Sequence, residues 1–334
     1  MIRVAVVGAG VTGLAAAWRL NRSGVETTLF EASDRTGGRV GSAEFSGRRV
    51  DTGPDALGPD PALDELLEQL GMTGQVEIPD PARAFRLTAA GDLEPFGVGG
   101  GAMFGLTGGI FSLPARLEEA SREAGVDFRL GTGIGGIEEV EADFDAVIVA
   151  TGAKAGANIL GGQVSEALRA INGLSVTLVH LAIPTSRIGR EMNGTGYLAD
   201  PAEGRLVTGC SWSSAKWKRL AGEPAILRAS IREAGQGEVI GLPDEEIVGK
   251  VMAELAPVMK IEGDPVETMV TRYPDALVVR DEEHAAAVTA ARSALGEDSR
   301  IHLVGADFDG PGISRSIAGV RQTVDAITEG KADD

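Results

Sequence analysis

Three glycines and one acid carry the clearest chemistry in this sequence: Gly8, Gly10 and Gly13, followed 18 residues beyond the last of them by Glu31. In such a spacing Gly8 permits a tight turn, Gly10 lets a pyrophosphate approach the backbone, and Gly13 lets a helix pack closely on a strand. An acid about 20 residues past the turn is placed to accept a ribose hydroxyl. Val11 and Thr12 fall in the first helical turn, where unpaired N–H groups and the positive dipole end favour phosphate. These residues together offer dinucleotide binding.

The run Ala32-Ser33-Asp34-Arg35-Thr36-Gly37-Gly38-Arg39-Val40 comes directly after the acid. Two adjacent glycines let the main chain pass close beneath a phosphate or a sugar chain, and Arg35 and Arg39 are candidate counter-charges. The run resembles the second dinucleotide motif of FAD-dependent amine oxidases and their relatives. It points to FAD rather than NAD.

The elements that must position these residues are legible around them. Residues 3–7 form an apolar strand, a helix follows to Asn21, and 27–30 form the second strand, giving a βαβ opening. Residues 43–51 read as two extended pieces joined at a Ser-Gly turn. Asp60 caps a helix with Pro61 in its first position, Leu63, Leu66, Leu67 and Leu70 on one stripe, and Gly71 at its end. A strand pair over 84–93 turns at Ala90-Gly91-Asp92. Residues 97–109 are too glycine-rich for a helix and read as a linker or as a loop lying against a ligand. A helix with Pro114 in its first turn ends at Gly125, and strands over 126–130 and 144–150 return to the first sheet. Residues 164–292 change texture, with strands over 175–183 and 205–212 and an amphipathic helix over 244–256. Residues 301–307 form a last strand, followed by a glycine loop and a helix through Ile327.

Composition narrows the partners. The 334 residues are 43% hydrophobic and carry a net charge of −18, which argues against nucleic acid or an anionic membrane surface. Forty-seven glycines against two tyrosines and three tryptophans fit many tight turns and close backbone approaches. Cys210 is the single cysteine, so no internal disulfide forms, and its neighbours predict a packed thiol. The first strand begins at once and no apolar run reaches bilayer-spanning length, so a cytoplasmic protein without a transmembrane segment is expected. His180, His284 and His302 lack metal or triad spacing and are read as structural.

A more specific resemblance comes from Gly194-Thr195-Gly196-Tyr197-Leu198, residues 203–217, Thr271-Arg272-Tyr273-Pro274-Asp275-Ala276-Leu277 and residues 305–312. These look like the bacterial protoporphyrinogen/coproporphyrinogen oxidases, a branch of the FAD-dependent amine oxidase superfamily, over most of the chain. The resemblance implies an α/β flavoprotein with two dinucleotide-binding motifs in a Rossmann-like FAD domain (1–75, 106–162 and 296–334). An antiparallel-sheet substrate domain (76–105 and 163–295) is interleaved with it. It implies hydride transfer from a porphyrinogen to flavin, then return of electrons to oxygen as hydrogen peroxide. Besides Gly8, Gly10, Val11, Thr12, Gly13, Glu31, Ala32, Arg35, Gly37, Gly38 and Arg39, it implies cofactor contacts at Gly53, Pro54 and Asp55. Further contacts are implied at Ile137, Ala150, Thr151, Gly152, Trp212, Gly305, Ala306, Asp307, Gly312 and Ile313. Asp307 and the amides of Gly312 and Ile313 are placed to meet the ribityl and pyrophosphate.

Departures from that family concentrate on the substrate side. The relatives carry a largely helical segment over the substrate where this chain has only residues 97–109. Gly41-Ser42, Gly58-Pro59-Asp60-Pro61 and Val278-Val279-Arg280 stand where relatives carry a basic residue, arginines and Pro-Gln-Tyr. Lys216 and Arg272 are the remaining cations expected to meet a carboxylate-bearing porphyrinogen. No general base is evident, no catalytic residue is assigned, and no metal is expected. A homodimer or a protein partner covering the flavin is expected in place of the lost lid. Two other readings stay open: a flavin-binding scaffold that kept the fold and lost turnover, and an oxidase of a smaller amine or ring substrate.

Overall fold

The computed structural model describes residues 2–97, 103–234, 238–296 and 299–329. Two sheets organise them. The first is parallel throughout, in the order Ile301–Leu303, Ala146–Val149, Arg3–Val7, Glu26–Phe30, Asp127–Arg129. From Arg3–Val7 the chain proceeds to one side through Glu26–Phe30, while Ala146–Val149 lies on the other. The strand order therefore reverses between Arg3–Val7 and Ala146–Val149, and the crevice at their carboxyl ends is where open α/β sheets take ligands.

Both faces of this sheet are covered, as the near-continuous apolar strands require. On one face Leu14, Leu63, Leu66, Leu117, Ile317 and Val320 join Val4 and Val6 in a buried cluster. These side chains come from the helices Val11–Arg22, Pro61–Gln69, Ser112–Ala124 and Gly312–Glu329. On the other face Val147 and Val149 pack with Leu168, Ala287 and Ala291. The helices Gly162–Arg169 and Glu282–Leu295, from the stretch expected in the second domain, thus pack on the first sheet.

Local signals set several boundaries. The Asp60 carboxylate accepts from the Ala62 amide at 2.9 Å, with Pro61 opening the helix. Gly125 ends Ser112–Ala124 in the left-handed conformation, φ 96°.

The second sheet runs Glu267–Val278, Gly173–Ile183, Ala225–Ala234, Gly209–Ser211, Gly196–Ala199, Ala84–Leu87, Leu93–Phe96. It is mixed rather than purely antiparallel, because Gly196–Ala199 pairs with Ala84–Leu87 in parallel. The strand expected over 205–212 shrinks to Gly209–Ser211. The Leu206 and Val207 amides donate instead to the Glu254 carboxylate, each at 3.0 Å, on the helix Asp244–Met259. The last strand likewise stops at Leu303, and Ala306–Asp309 forms one helical turn after Gly305 at φ 135°.

Residues 98–102 of the expected linker lie outside the described residues. Past them, Phe104 exchanges backbone hydrogen bonds with Leu57, and Gly105–Leu106 pairs with Val76–Glu77. A Cβ on Gly105 would lie 2.7 Å from the Trp217 indole, so this backbone rests on an aromatic side chain. Among the described residues no helix is long and apolar enough to cross a membrane.

Candidate functional site

The glycine turn leaves the first strand and enters Val11–Arg22 with each glycine in a different environment. Gly8 has φ 102°, and a Cβ there would crowd Thr151 and the Ala150 carbonyl at 3.1–3.3 Å. At Gly13 a Cβ would lie 1.8 Å from the Gly8 carbonyl oxygen, so helix and strand approach as closely as only glycine allows. At Gly10 a Cβ would meet nothing within 4 Å. The helix has no side-chain cap at Gly10 and no acid in its first turn. Among the described residues the amides of Thr12 and Gly13 have no hydrogen-bond partner. Open space therefore meets free donors at a positive helix end.

Other segments enclose that space. The Gly37 amide donates to the Ala9 carbonyl at 2.8 Å, and a Cβ on Gly38 would lie 3.3 Å from the Gly10 Cα. Ala150 and Thr151 line the underside of Gly8, and Gly152 opens the helix Ala153–Ile159. Gly305 comes beside Thr12, where a Cβ would lie 3.9 Å from that side chain. The start of Gly312–Glu329, carrying Gly312 and Ile313, is tied to the 53–60 segment by Ser314, which donates to the Gly58 carbonyl at 2.6 Å. Glu31 directly follows the second strand, its carboxylate accepting from the Ala9 amide at 2.7 Å and from the Ser33 amide and hydroxyl at 2.9 and 2.8 Å. Oε1 takes both Ser33 donors, while Oε2, which accepts only from Ala9, keeps a lone pair for a further donor.

Residues 131–133, for which no motif spoke, also reach this edge. The Gly131 amide donates to the Ser33 carbonyl and the Thr132 amide to the Glu31 carbonyl, at 2.7 and 2.8 Å. A Cβ on Gly133 would lie 3.4 Å from the Ala32 Cβ. Ile137, expected at the cofactor, packs against the buried cluster on the other face of the first sheet, its amide donating to the Ile159 carbonyl.

The expected counter-charges are occupied. The Arg35 guanidinium donates to the carbonyls of Thr36 and Gly38, both at 3.1 Å, and that of Arg39 donates to the Ala276 carbonyl in the second sheet. Asp307 is buried, and its Oδ2 accepts from the Ala153 amide at 2.8 Å, so this carboxylate caps a helix. Trp212 is 1% exposed and stacks at a tilt on Phe85 in the core of the second sheet.

Beyond Gly53 the chain enters a buried ionic cluster. A Cβ on Gly53 would lie 2.0 Å from the Arg39 carbonyl oxygen, and the Gly53 carbonyl accepts from Arg228 at 2.6 Å. Pro54 is exposed, whereas Asp55 turns inward to Arg228 at 2.8 Å and Lys216 at 3.2 Å, with the Ser211 hydroxyl donating at 3.1 Å. Burial pushes the Asp55 carboxyl up, but Arg228 and Lys216 outweigh it and hold the group below the usual carboxylate range. Burial also lowers Lys216, against the pull of Asp55. Next to this pair, Asp51 meets Arg219 at 2.5 Å and accepts from the Phe111 amide at 3.0 Å. Burial nevertheless raises its carboxyl to about 6. Burial and Arg228 push the His180 imidazole down to about 3, so it stands neutral in the cluster.

Neither substrate cation expected from the sequence is free. Lys216 is paired with Asp55, and Arg272 is spent on the loop before Asp244–Met259. It donates to the Ile240 and Leu242 carbonyls at 2.9 and 2.7 Å and pairs with Asp244 at 2.6 Å. Their partners lie far away in sequence, and no local pattern announces them. Burial pushes the Cys210 thiol up to about 12, in keeping with a packed, unreactive sulfur.

A cavity of about 80 Å³ lined by Glu141, Phe144 and Arg300 lies at the amino ends of the parallel strands, opposite the glycine turn. A smaller one, about 10 Å³, lies within the ionic cluster between Asp51, Asp55, His180 and Trp217. Among the described residues no group of three or more His, Cys, Asp or Glu could hold a metal ion.

A parallel sheet with a glycine turn at its switch point, joined to a mixed sheet, is the two-sheet architecture of flavin amine oxidases. The chain belongs to the flavin containing amine oxidoreductase family, whose model matches residues 11–96 and 86–319. It is similar to the coproporphyrinogen III oxidase of Bacillus subtilis, 31% identical over 196 residues, which span 58% of this chain and 40% of that protein. The coproporphyrinogen III oxidase of Staphylococcus aureus is 22% identical over 462 residues, covering 98% of this chain and 97% of its own. That span exceeds the 334 residues of this chain, so part of the relative has no counterpart here. The fold matches the crystal structure of an Exiguobacterium protein provisionally assigned as a protoporphyrinogen oxidase, with TM-score 0.84 at 19% identity, over 98% of this chain and 99% of that one.

Proposed function

We propose that this chain binds FAD and oxidises a porphyrinogen-type substrate by hydride transfer to the flavin, with oxygen as acceptor and hydrogen peroxide as product. The observation that carries the cofactor is the start of Val11–Arg22: two unpartnered amides and open space at Gly10, walled by 37–38, 150–152 and 305–306. In this reading the Thr12 and Gly13 amides hold the pyrophosphate. Glu31, already oriented by Ala9 and Ser33, accepts a ribose hydroxyl. Residues 131–133 stand beside Ala32 at the adenosine end, and Gly312 and Ile313 continue the cradle toward the 53–55 segment. Bound there, the flavin supplies a two-electron acceptor, and the protein supplies position and electrostatics.

The substrate class rests on the coproporphyrinogen III oxidases to which the chain is similar. A second copy or another protein covering the flavin in place of the missing segment belongs to the same proposal. One observation favours a second reading, a flavin-binding scaffold without turnover: Lys216, Arg219, Arg228 and Arg272 are all engaged within the chain. The two readings separate in an anaerobic cuvette. FAD-loaded protein is mixed with coproporphyrinogen III or protoporphyrinogen IX and the flavin band is followed. Bleaching by one of them, reversed by air with peroxide formed, supports the oxidase. A yellow protein that neither bleaches, yet dithionite does, supports the scaffold.

A further inference from the structure

The loop after the last strand is held in place by a helix that itself carries none of the cofactor positions. Ala306–Asp309 is a single helical turn and cannot hold its shape unaided. Its fixings come from outside. His284 Nε2 lies 2.8 Å from the Asp307 carbonyl oxygen, and since a carbonyl only accepts, the proton sits on Nε2. The Arg292 guanidinium donates to Asp309 Oδ1 at 2.9 Å, while Asp309 Oδ2 accepts from the Gly305 amide at 2.7 Å. Arg280 donates to the Ala306 carbonyl. Room for Asp309 is made on the far side, where a Cβ on Gly319 would lie 2.2 Å from its Oδ2.

His284 and Arg292 share the helix Glu282–Leu295, and Arg280 lies two residues before it. That helix is capped by the Asp281 carboxylate, which accepts from the His284 amide at 2.8 Å. Through Val279, whose amide donates to the Asn172 carbonyl at 3.0 Å, it continues directly from Glu267–Val278, the edge strand of the second sheet. The helix therefore connects that edge strand to the loop that lies against Thr12.

Charge gives the arrangement a purpose. Asp307 and Asp309 place two carboxylates on a loop that lies against the Thr12 side chain, beside the amides proposed for a pyrophosphate. Asp307 is neutralised by a helix N-terminus and Asp309 by Arg292. Without these partners the loop would repel the ligand beside it.

We infer that Arg280, His284 and Arg292 form a clamp that seats the 305–310 loop on the start of Val11–Arg22, making His284 and Arg292 positioning residues for flavin binding. This rests on the FAD reading above. The test measures FAD dissociation constants by flavin fluorescence for the full chain, with the FAD-induced rise in melting temperature as a second readout. Wild type, His284→Ala, His284→Gln, Arg292→Met and Arg292→Lys are compared. The two disruptive changes should each weaken FAD about tenfold or more and shrink the FAD-induced rise. Gln, which keeps an N–H at the same reach, and Lys, which keeps the charge, should recover most of the loss. A wild type that takes up no FAD overturns the cofactor reading. A wild type that binds, with all four variants binding equally well even where their apo melting temperatures fall, overturns the clamp alone. Arg292 is half-exposed, so its variants keep the test open if His284→Ala does not fold.

Discussion

The carboxyl edge of the first sheet and the buried cluster of the second handle polar groups in opposite ways. At the first, backbone donors stand free around open space, with Thr12 and Gly13 unpartnered and nothing near a Cβ on Gly10. At the second, three cations meet two carboxylates within the chain, Lys216 and Arg228 at Asp55 and Arg219 at Asp51. Free donors in a folded protein are a cost unless a ligand takes them, whereas a cation already paired with a buried carboxylate is not free to take one. The side of the glycine turn leaves donors open to a guest, and the charges of the other side are engaged within the chain.

The sharpest way to break this contrast uses two glycines three residues apart. Gly13→Val should prevent folding, because the new side chain starts 1.8 Å from the Gly8 carbonyl. Gly10→Val should leave the melting temperature of the apoprotein within a few degrees and weaken FAD by about a hundredfold or more, since it fills only the open space. Equal flavin occupancy in Gly10→Val and wild type would break the assignment. Within the cluster, Asp55→Ala strands two buried cations and should cost about 3–5 kcal/mol in denaturant unfolding. A loss under about 1 kcal/mol would mean that the pair is solvated. Glu31→Ala should weaken FAD by about 1.5–3 kcal/mol, the worth of a hydrogen bond to a charged group, and calorimetry checks it.

The smallest effect concerns pH. Burial raises the folded Asp51 carboxyl to about 6 from the ordinary 3.8, so the folded state holds its proton more tightly than the unfolded one. Stability from this group is present below about pH 4 and is lost as pH rises through about 6. Relative to Asp51→Asn, wild type should therefore gain about 2 kcal/mol on going from about pH 7 to pH 4. An unchanged difference across that range would show an ordinary carboxyl.

What the sequence disclosed depended on distance along the chain. Gly8, Gly10, Gly13, the Asp60-Pro61 helix start and the Gly125 stop are local devices, and each stands where its residue type predicts. Relations across long separations stayed hidden. The parallel pairing of Gly196–Ala199 with Ala84–Leu87 and the union of Lys216 with Asp55 depend on chains meeting from more than a hundred residues away. Arg272 resembled a substrate contact because a cation in a family motif says nothing about the carbonyls of Ile240 and Leu242 that take its donors. Residues 131–133 escaped notice because a backbone segment running beside Glu31 needs no particular side chains.

The most direct test of a nucleotide side built for a guest is a calorimetric titration of the apoprotein with FAD, run beside Gly10→Val and beside NAD on wild type. The account predicts one FAD per chain on wild type, no measurable heat from Gly10→Val of unchanged circular dichroism, and no binding of NAD. FAD binding to the valine variant as to wild type, or a wild type that takes NAD in preference, would contradict it.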